Sequence, residues 1–150
     1  MFTIAAERMR DEIILCARIL LVTLFVIFGW SKLTNYDGAV GYMATTGVPA
    51  PQIAAVIAIV VEFFVAIAVL VGAFTRKLAV LMAGYTLATA FIGHHYWTMS
   101  GTEQYSNEIN FYKNVSIMGG FLLLFITGAG RYSLDATLGE NPGNVQHQAH

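Results

Sequence analysis

Apolar residues run in four long blocks, over residues 13–32, 53–71, 78–97 and 112–129, with short polar or turn-rich breaks between them. Each block has the length that carries a helix across a hydrocarbon core of ~30 Å. None alternates with period two, and isolated strands cannot satisfy their backbone groups in lipid. The pattern predicts an all-α polytopic membrane protein: a four-transmembrane-helix bundle, built as one domain over residues 1–150.

The breaks carry turn chemistry. Gly47-Val48-Pro49-Ala50-Pro51 precedes the second block and fixes its start. Gly72 with Thr75-Arg76-Lys77 predicts a tight turn between the second and third, and Gly128-Ala129-Gly130-Arg131 closes the fourth. Residues 35–46 are not very polar and predict a short interfacial helix, with Tyr42 and Met43 facing lipid. Residues 136–150 read as a polar, mobile tail. The first block follows a mixed-charge head with Glu7, Arg8, Arg10, Asp11 and Glu12, and it ends in Gly29-Trp30-Ser31-Lys32. It lacks a small-x-small cleavage signature and reads as a retained span.

Composition agrees with this picture. Hydrophobic residues make up 57% of the 150 and charged residues 11%, where a soluble domain has about 25% charged. The net charge of −1 and the lack of a basic stripe give no support to a nucleic-acid partner. Cys16 is the only cysteine, which rules out an internal disulfide and a CxxC redox motif.

Lys and Arg set the expected orientation. Arg8, Arg10, Arg76, Lys77 and Arg131 fall on one side, against Lys32 and Lys113 on the other. Both termini are therefore expected in the cytoplasm. Trp30, Tyr36, Tyr96, Trp97, Tyr105 and Tyr112 then form an aromatic belt at the outer interface, a role that anchoring alone explains.

The candidate chemistry is the set of polar groups at membrane depth. Glu62 lies near the middle of the second block, where an ionised carboxylate costs ~2.5 kcal/mol or more unless it is paired. Arg18 and Lys32 lie near opposite ends of the first block, on one side of its helix. Arg18 is expected to reach Glu62 from the cytoplasmic side, with Lys32 or Lys113 approaching from the outer side. The plainer alternatives are that Arg18 snorkels and that both lysines are end anchors. His94 and His95 sit near the end of the third block, and adjacent helical residues diverge by about 100°. At most one then faces the core, so no metal site is expected on the pair. Glu108, Asn110, Lys113 and Asn114 open the fourth block. Packed as a bundle, these groups converge on an outer-half cavity floored by Glu62, suited to a polar headgroup, a quinone ring or a proton path. Gly84 with Ala88, and Gly119-Gly120, are expected to serve close helix packing.

A set of motifs runs along the chain: Ala17-Arg18-Ile19-Leu20-Leu21 running to Phe28-Gly29-Trp30-Ser31-Lys32-Leu33, then Tyr42-Met43 and Gly47-Val48-Pro49. Glu62, Gly72-Ala73-Phe74-Thr75-Arg76 and Gly93-His94-His95-Tyr96-Trp97 follow. Lys113-Asn114-Val115-Ser116-Ile117-Met118-Gly119-Gly120 and Gly128-Ala129-Gly130-Arg131-Tyr132-Ser133-Leu134-Asp135 close the set. In these motifs, over residues 12–136, the chain resembles the DoxX family of small bacterial inner-membrane proteins. The resemblance implies a four-helix membrane protein. Its recurring polar positions correspond to Arg18, Lys32, Glu62, His94 or His95, Lys113, Asn114, Arg131 and Asp135. Arg131 and Asp135, four residues apart, are expected to cap the last helix or dock a partner.

The family takes its name from a subunit tied to archaeal thiosulfate:quinone oxidoreductase chemistry, and other members are linked to oxidative stress and thiol redox. The leading expectation is a redox-associated accessory subunit. It would hold no intrinsic cofactor, bind a quinone or small redox species in the outer-half cavity and work with a redox enzyme partner. The alternatives are a non-enzymatic assembly subunit, with Glu62 and Arg18 locking the bundle, and a small proton-coupled carrier. Lipid is the expected surrounding, and a homo-oligomer is compatible with all three.

Overall fold

The computed structural model describes residues 8–139. It has no strand among these residues, and four of its helices are long and apolar enough to cross a membrane. Helix α1 is Arg10–Thr34 and the short α2 is Tyr36–Thr45. Helix α3 is Pro51–Val71, α4 is Thr75–Gly93, α5 is Gly101–Thr127 and α6 is Leu134–Thr137. The protein is all-α and polytopic.

The short α2 falls where a short helix is expected, over residues 35–46. Asn35 starts it, accepting a 3.2 Å hydrogen bond from the Gly38 amide, and Tyr36 ties it to α3 by donating to Gln52 O at 3.1 Å. Pro51 occupies the first turn of α3, where a missing N–H leaves nothing unsatisfied. The third apolar block is broken sooner than expected. Helix α4 stops at Gly93, and Tyr96–Thr98 form a single tighter turn before α5 begins at Gly101. The helical-divergence argument for His94 and His95 therefore does not apply, because both lie beyond the last turn of α4. Helix α5 begins at Gly101, so a mostly polar stretch of about three turns precedes the apolar block that opens at residue 112.

The core lies between α1, α3, α4 and α5. Val22, Phe25, Val61, Val69, Met82 and Phe121 are buried there, with Phe25 meeting Phe121 edge-on at a centroid distance of 5.6 Å. Most other large apolar side chains point outward, Leu20 and Ile126 among them at 70% and 67% exposed. That arrangement suits lipid, where an outward leucine loses nothing.

Within the long helices, Gly29 and Gly120 sit at close approaches, and only Gly120 is in the predicted set. A Cβ on Gly29 would lie 2.6 Å from the backbone of Glu62 and Phe63, so α1 crosses α3 at contact distance there. A Cβ on Gly120 would lie 2.9 Å from Leu21 Cδ1. Gly84 and Gly119 have nothing within 4 Å of that position and do not serve helix packing.

Residues 136 and 137, the first of the segment expected to be a loose tail, lie within α6, and residues 140–150 lie outside the described residues.

Candidate functional site

Glu62 sits within Val60–Val65, where α3 widens to a π-helical turn. Such turns are rare and concentrate at functional sites. The widened backbone abuts Gly29 and presents the Glu62 carboxylate between α1 and α4. Both of its oxygens are engaged. Lys32 Nζ donates to Oε2 at 2.6 Å, and the Tyr85 hydroxyl donates to Oε1 at 2.7 Å. The side chains of Lys32 and Glu62 keep 22% and 13% of their surface, so the pair is largely withdrawn from its surroundings. A carboxylate at this depth needs such partners. Tyr85 carries no sequence signal that separates it from an ordinary span aromatic, and the expectation missed it.

A cavity of about 490 Å³ opens beside this pair. Lys32, Glu62, Tyr85, His94, Asn110, Lys113 and Asn114 line it, and Tyr42 and Met43 of α2 border it. Six of the sequence-named polar residues are thus brought together at one end of the bundle. Residues 110, 113 and 114 lie one turn apart on α5, which is why they face it together. Lys113 Nζ donates to Asn110 Oδ1 at 2.6 Å. His94 Nδ1 lies 3.0 Å from Asn107 Oδ1, while Asn107 Nδ2 donates to Glu103 O at 3.0 Å. Since the amide nitrogen is already used on Glu103, the oxygen faces His94, which must donate from Nδ1. His95 turns back on the end of α4, Nδ1 3.1 Å from Ile92 O, and does not line this cavity.

Three expected roles are corrected. Arg18 does not pair with Glu62. It is 1% exposed, and its guanidinium donates to Leu70 O at 3.1 Å, Ala129 O at 2.5 Å and Tyr132 O at 2.7 Å. The side chain points toward the other end of α3, away from Glu62, and ties the exits of α3 and α5 together. It neither snorkels nor joins the cavity. Asp135 does not cap the last helix. Its carboxylate accepts from the Phe74 amide at 2.7 Å and the Thr75 amide at 2.9 Å, capping the start of α4. Arg131 does not pair with Asp135 either. It donates to Glu12 Oε1 at 2.6 Å and to the Tyr132 hydroxyl, and its backbone amide donates to Asp11. The hydrogen bond to Tyr132, with the Glu12 charge behind it, holds the Arg131 guanidinium above its ordinary pKa. These contacts put both ends of the described chain at one end of the bundle, opposite the cavity.

The aromatic residues near the cavity end are arranged as a stack on the surface. Tyr96 and Trp97 pack on Phe111 at 5.6 Å and 5.9 Å, and Trp97 is 54% exposed.

The family model described as DoxX matches residues 13–95. That stretch holds α1 through α4, with Arg18, Lys32, Glu62, Tyr85 and His94. The chain belongs to the DoxX family. It is 56% identical over 126 residues to the inner membrane protein YphA of Escherichia coli strain K12, covering 84% of this chain and 90% of that one. It is 43% identical over 132 residues to the inner membrane protein YqjF of the same organism, covering 88% and 96%. A more distant likeness, 27% identical over 136 residues, is to the ER-derived vesicles protein ERV29 of Saccharomyces cerevisiae, covering 86% of this chain but 34% of that one. No solved structure matches the chain.

Proposed function

We propose that this DoxX-family chain is an inner-membrane redox accessory protein that binds a quinone ring in the polar cavity and serves a partner oxidoreductase. The observation that carries the proposal is the Glu62 carboxylate, held by Lys32 and Tyr85 on the wall of a cavity of about 490 Å³. A quinone ring needs hydrogen-bond donors for its carbonyls and a proton source when it is reduced. Lys32 and Lys113 have N–H donors beyond the ones spent on Glu62 and Asn110, and the Lys32–Glu62–Tyr85 chain is a hydrogen-bonded route on which a proton can be held. The electrons come from the partner, since the sequence has a single cysteine and no CxxC motif.

The names of the two bacterial relatives support an inner-membrane location. The basic residues support an orientation with the Arg76, Lys77 and Arg131 end in the cytoplasm. The cavity then lies in the outer half of the bundle. A reporter fused at the C-terminus and active only in the cytoplasm tests this, and an outer-side signal overturns it.

The ligand reading is tested on protein extracted in native-lipid particles, with bound quinone assayed after lipid extraction. Stoichiometric quinone, lost in a folded Glu62→Ala protein, is the expected result. Trace quinone in the unmodified protein overturns it and favours the second reading. There the Lys32–Glu62 pair only clasps α1 to α3 in a non-enzymatic assembly subunit.

A further inference from the structure

The polar cavity has an apolar neighbour. A second space of about 400 Å³ lies between α3 and α4, bordered at one side by Tyr42 and Met43 of α2 and by residues 46 and 48–50. Glu62, Tyr85, Thr89 and His94 line both spaces, so the two meet at the carboxylate. Beyond that junction the walls change character. Ile53 and Ile57 of α3 face Ala88 and Ile92 of α4 across the second space. Ile53, Ile57 and Ile92 are 63%, 50% and 46% exposed on the flank that a bilayer covers. Away from Glu62, Tyr85, Thr89 and His94 the lining is mostly apolar and offers water few hydrogen-bond partners. Each of the two spaces is of the size that holds a small molecule or a part of one.

We infer that the second space receives the hydrocarbon tail of the ligand whose ring sits against Glu62. The ligand is a membrane-borne amphiphile that enters from lipid between α3 and α4, ring first. The inference rests on the ring-binding reading above and adds to it the tail, the route and the residues that control both. In lipid a tail gains no hydrophobic energy by moving from acyl chains into the protein. The apolar space therefore acts by shape. Blocking it leaves the tail of a seated ligand nowhere to lie, while a ligand without a tail is unaffected. Ala88 suits the blockade because it is exposed to the space and not packed in the core. Ala54, on the opposite wall, gives an independent second site.

The experiment uses the full chain in lipid nanodiscs as the unmodified protein, Ala88→Phe and Ala54→Phe, with binding read by native mass spectrometry. The probes are a tailless methoxy-substituted benzoquinone and the same ring carrying a decyl chain. The unmodified protein is expected to bind both. In each variant with unchanged helical circular dichroism, binding of the decyl probe should fall by about tenfold or more, while the tailless probe stays within about twofold. Equal loss of both probes, or retention of both, overturns the tail route and leaves ring binding standing. Binding of only the tailless probe to the unmodified protein does the same. Failure of the unmodified protein to bind either probe overturns the ring-binding reading and the tail route with it.

Discussion

Lys32 Nζ lies 2.6 Å from Glu62 Oε2 and so joins the far end of α1 to the widened turn of α3. Glu62→Gln leaves the Lys32 charge half-buried without a counter-charge, and breaking a buried pair from one side destabilises by about 3 kcal/mol. The reversed pair Lys32→Glu with Glu62→Lys should recover most of that stability. Thermal unfolding in nanodiscs measures both. If the site binds a ring, the reversed pair regains stability without regaining bound quinone. Recovery of both would favour a clasp.

Tyr85→Phe separates the carboxylate's second hydrogen bond from its ion pair. The hydroxyl donates to Glu62 Oε1 at 2.7 Å on the wall of the cavity, where water can replace it. The melting temperature should therefore move little, by no more than about 1 kcal/mol of stability. Bound quinone should fall severalfold, since the carboxylate on the cavity wall loses the hydrogen bond that orients it. Unchanged quinone content would remove Tyr85 from the site.

Gly29 and Gly84 make a controlled comparison. A Cβ on Gly29 would press into the Glu62–Phe63 backbone at 2.6 Å, whereas one on Gly84 meets nothing within 4 Å. Backbone cannot yield as a side chain can. Gly29→Ala should destabilise by about 1–3 kcal/mol or more and disturb the site through the widened turn. Gly84→Ala should be neutral or stabilise by up to about 1 kcal/mol through helix propensity. Thermal unfolding of the two variants reads the difference, and equal melting would refute the crossing.

The spans, the short helix and most of the cavity's polar residues are legible in the sequence, because apolar run length and intramembrane charge are strong signals. Pairing is less legible. Arg18 and Lys32 both lie on the Glu62 side of α1, and nothing in their spacing says that Arg18 points to the opposite end of the bundle. What decides it is the set of unsatisfied carbonyls at the exits of α3 and α5, which exists only once those helices have ended. Tyr85 is silent for a different reason: one hydroxyl in an apolar span has no pattern to stand out from. The Gly29 contact was hidden because a lone glycine in α1 is not a small-xxx-small motif. The widened turn at Glu62 has no composition of its own, and it becomes visible only with the glycine it presses against.

Asp135 reaches across sixty positions to accept from Thr75 N, and it accepts from Phe74 N as well. Phe74 has a left-handed backbone, φ 49°, which a side chain disfavours. The carboxylate holds that turn while facing the positive end of α4. Asp135→Ala should cost about 1–2 kcal/mol and expose the turn around residues 72–75 to protease. Asp135→Asn, which keeps an acceptor without the charge, should fall between the two. A wild-type cleavage pattern for Asp135→Ala would mean that the turn is held by something else.

Arg18 is the largest fully buried side chain of the bundle and the strongest test of the architecture. Its Nε, Nη1 and Nη2 each donate to a different carbonyl, Leu70 O, Ala129 O and Tyr132 O, which come from the end of α3 and the segment after α5. Gly72 lies against it, where a Cβ would run into the guanidinium and Ser133. A lysine carries its charge at one point and cannot span the three acceptors that the planar fork reaches. Arg18→Lys therefore loses two charge-assisted hydrogen bonds, each worth about 1.5–3 kcal/mol, and should destabilise by about 3 kcal/mol or more. The segment at residues 128–137, held to the bundle by this side chain and by Asp135, should become the first site of limited proteolysis. Quinone bound at the opposite end should persist in the fraction that stays folded, because Arg18 contributes nothing to the cavity. A lysine variant that melts with the unmodified protein would show that the three carbonyls find other donors. A folded variant that loses quinone would place Arg18 back in the site.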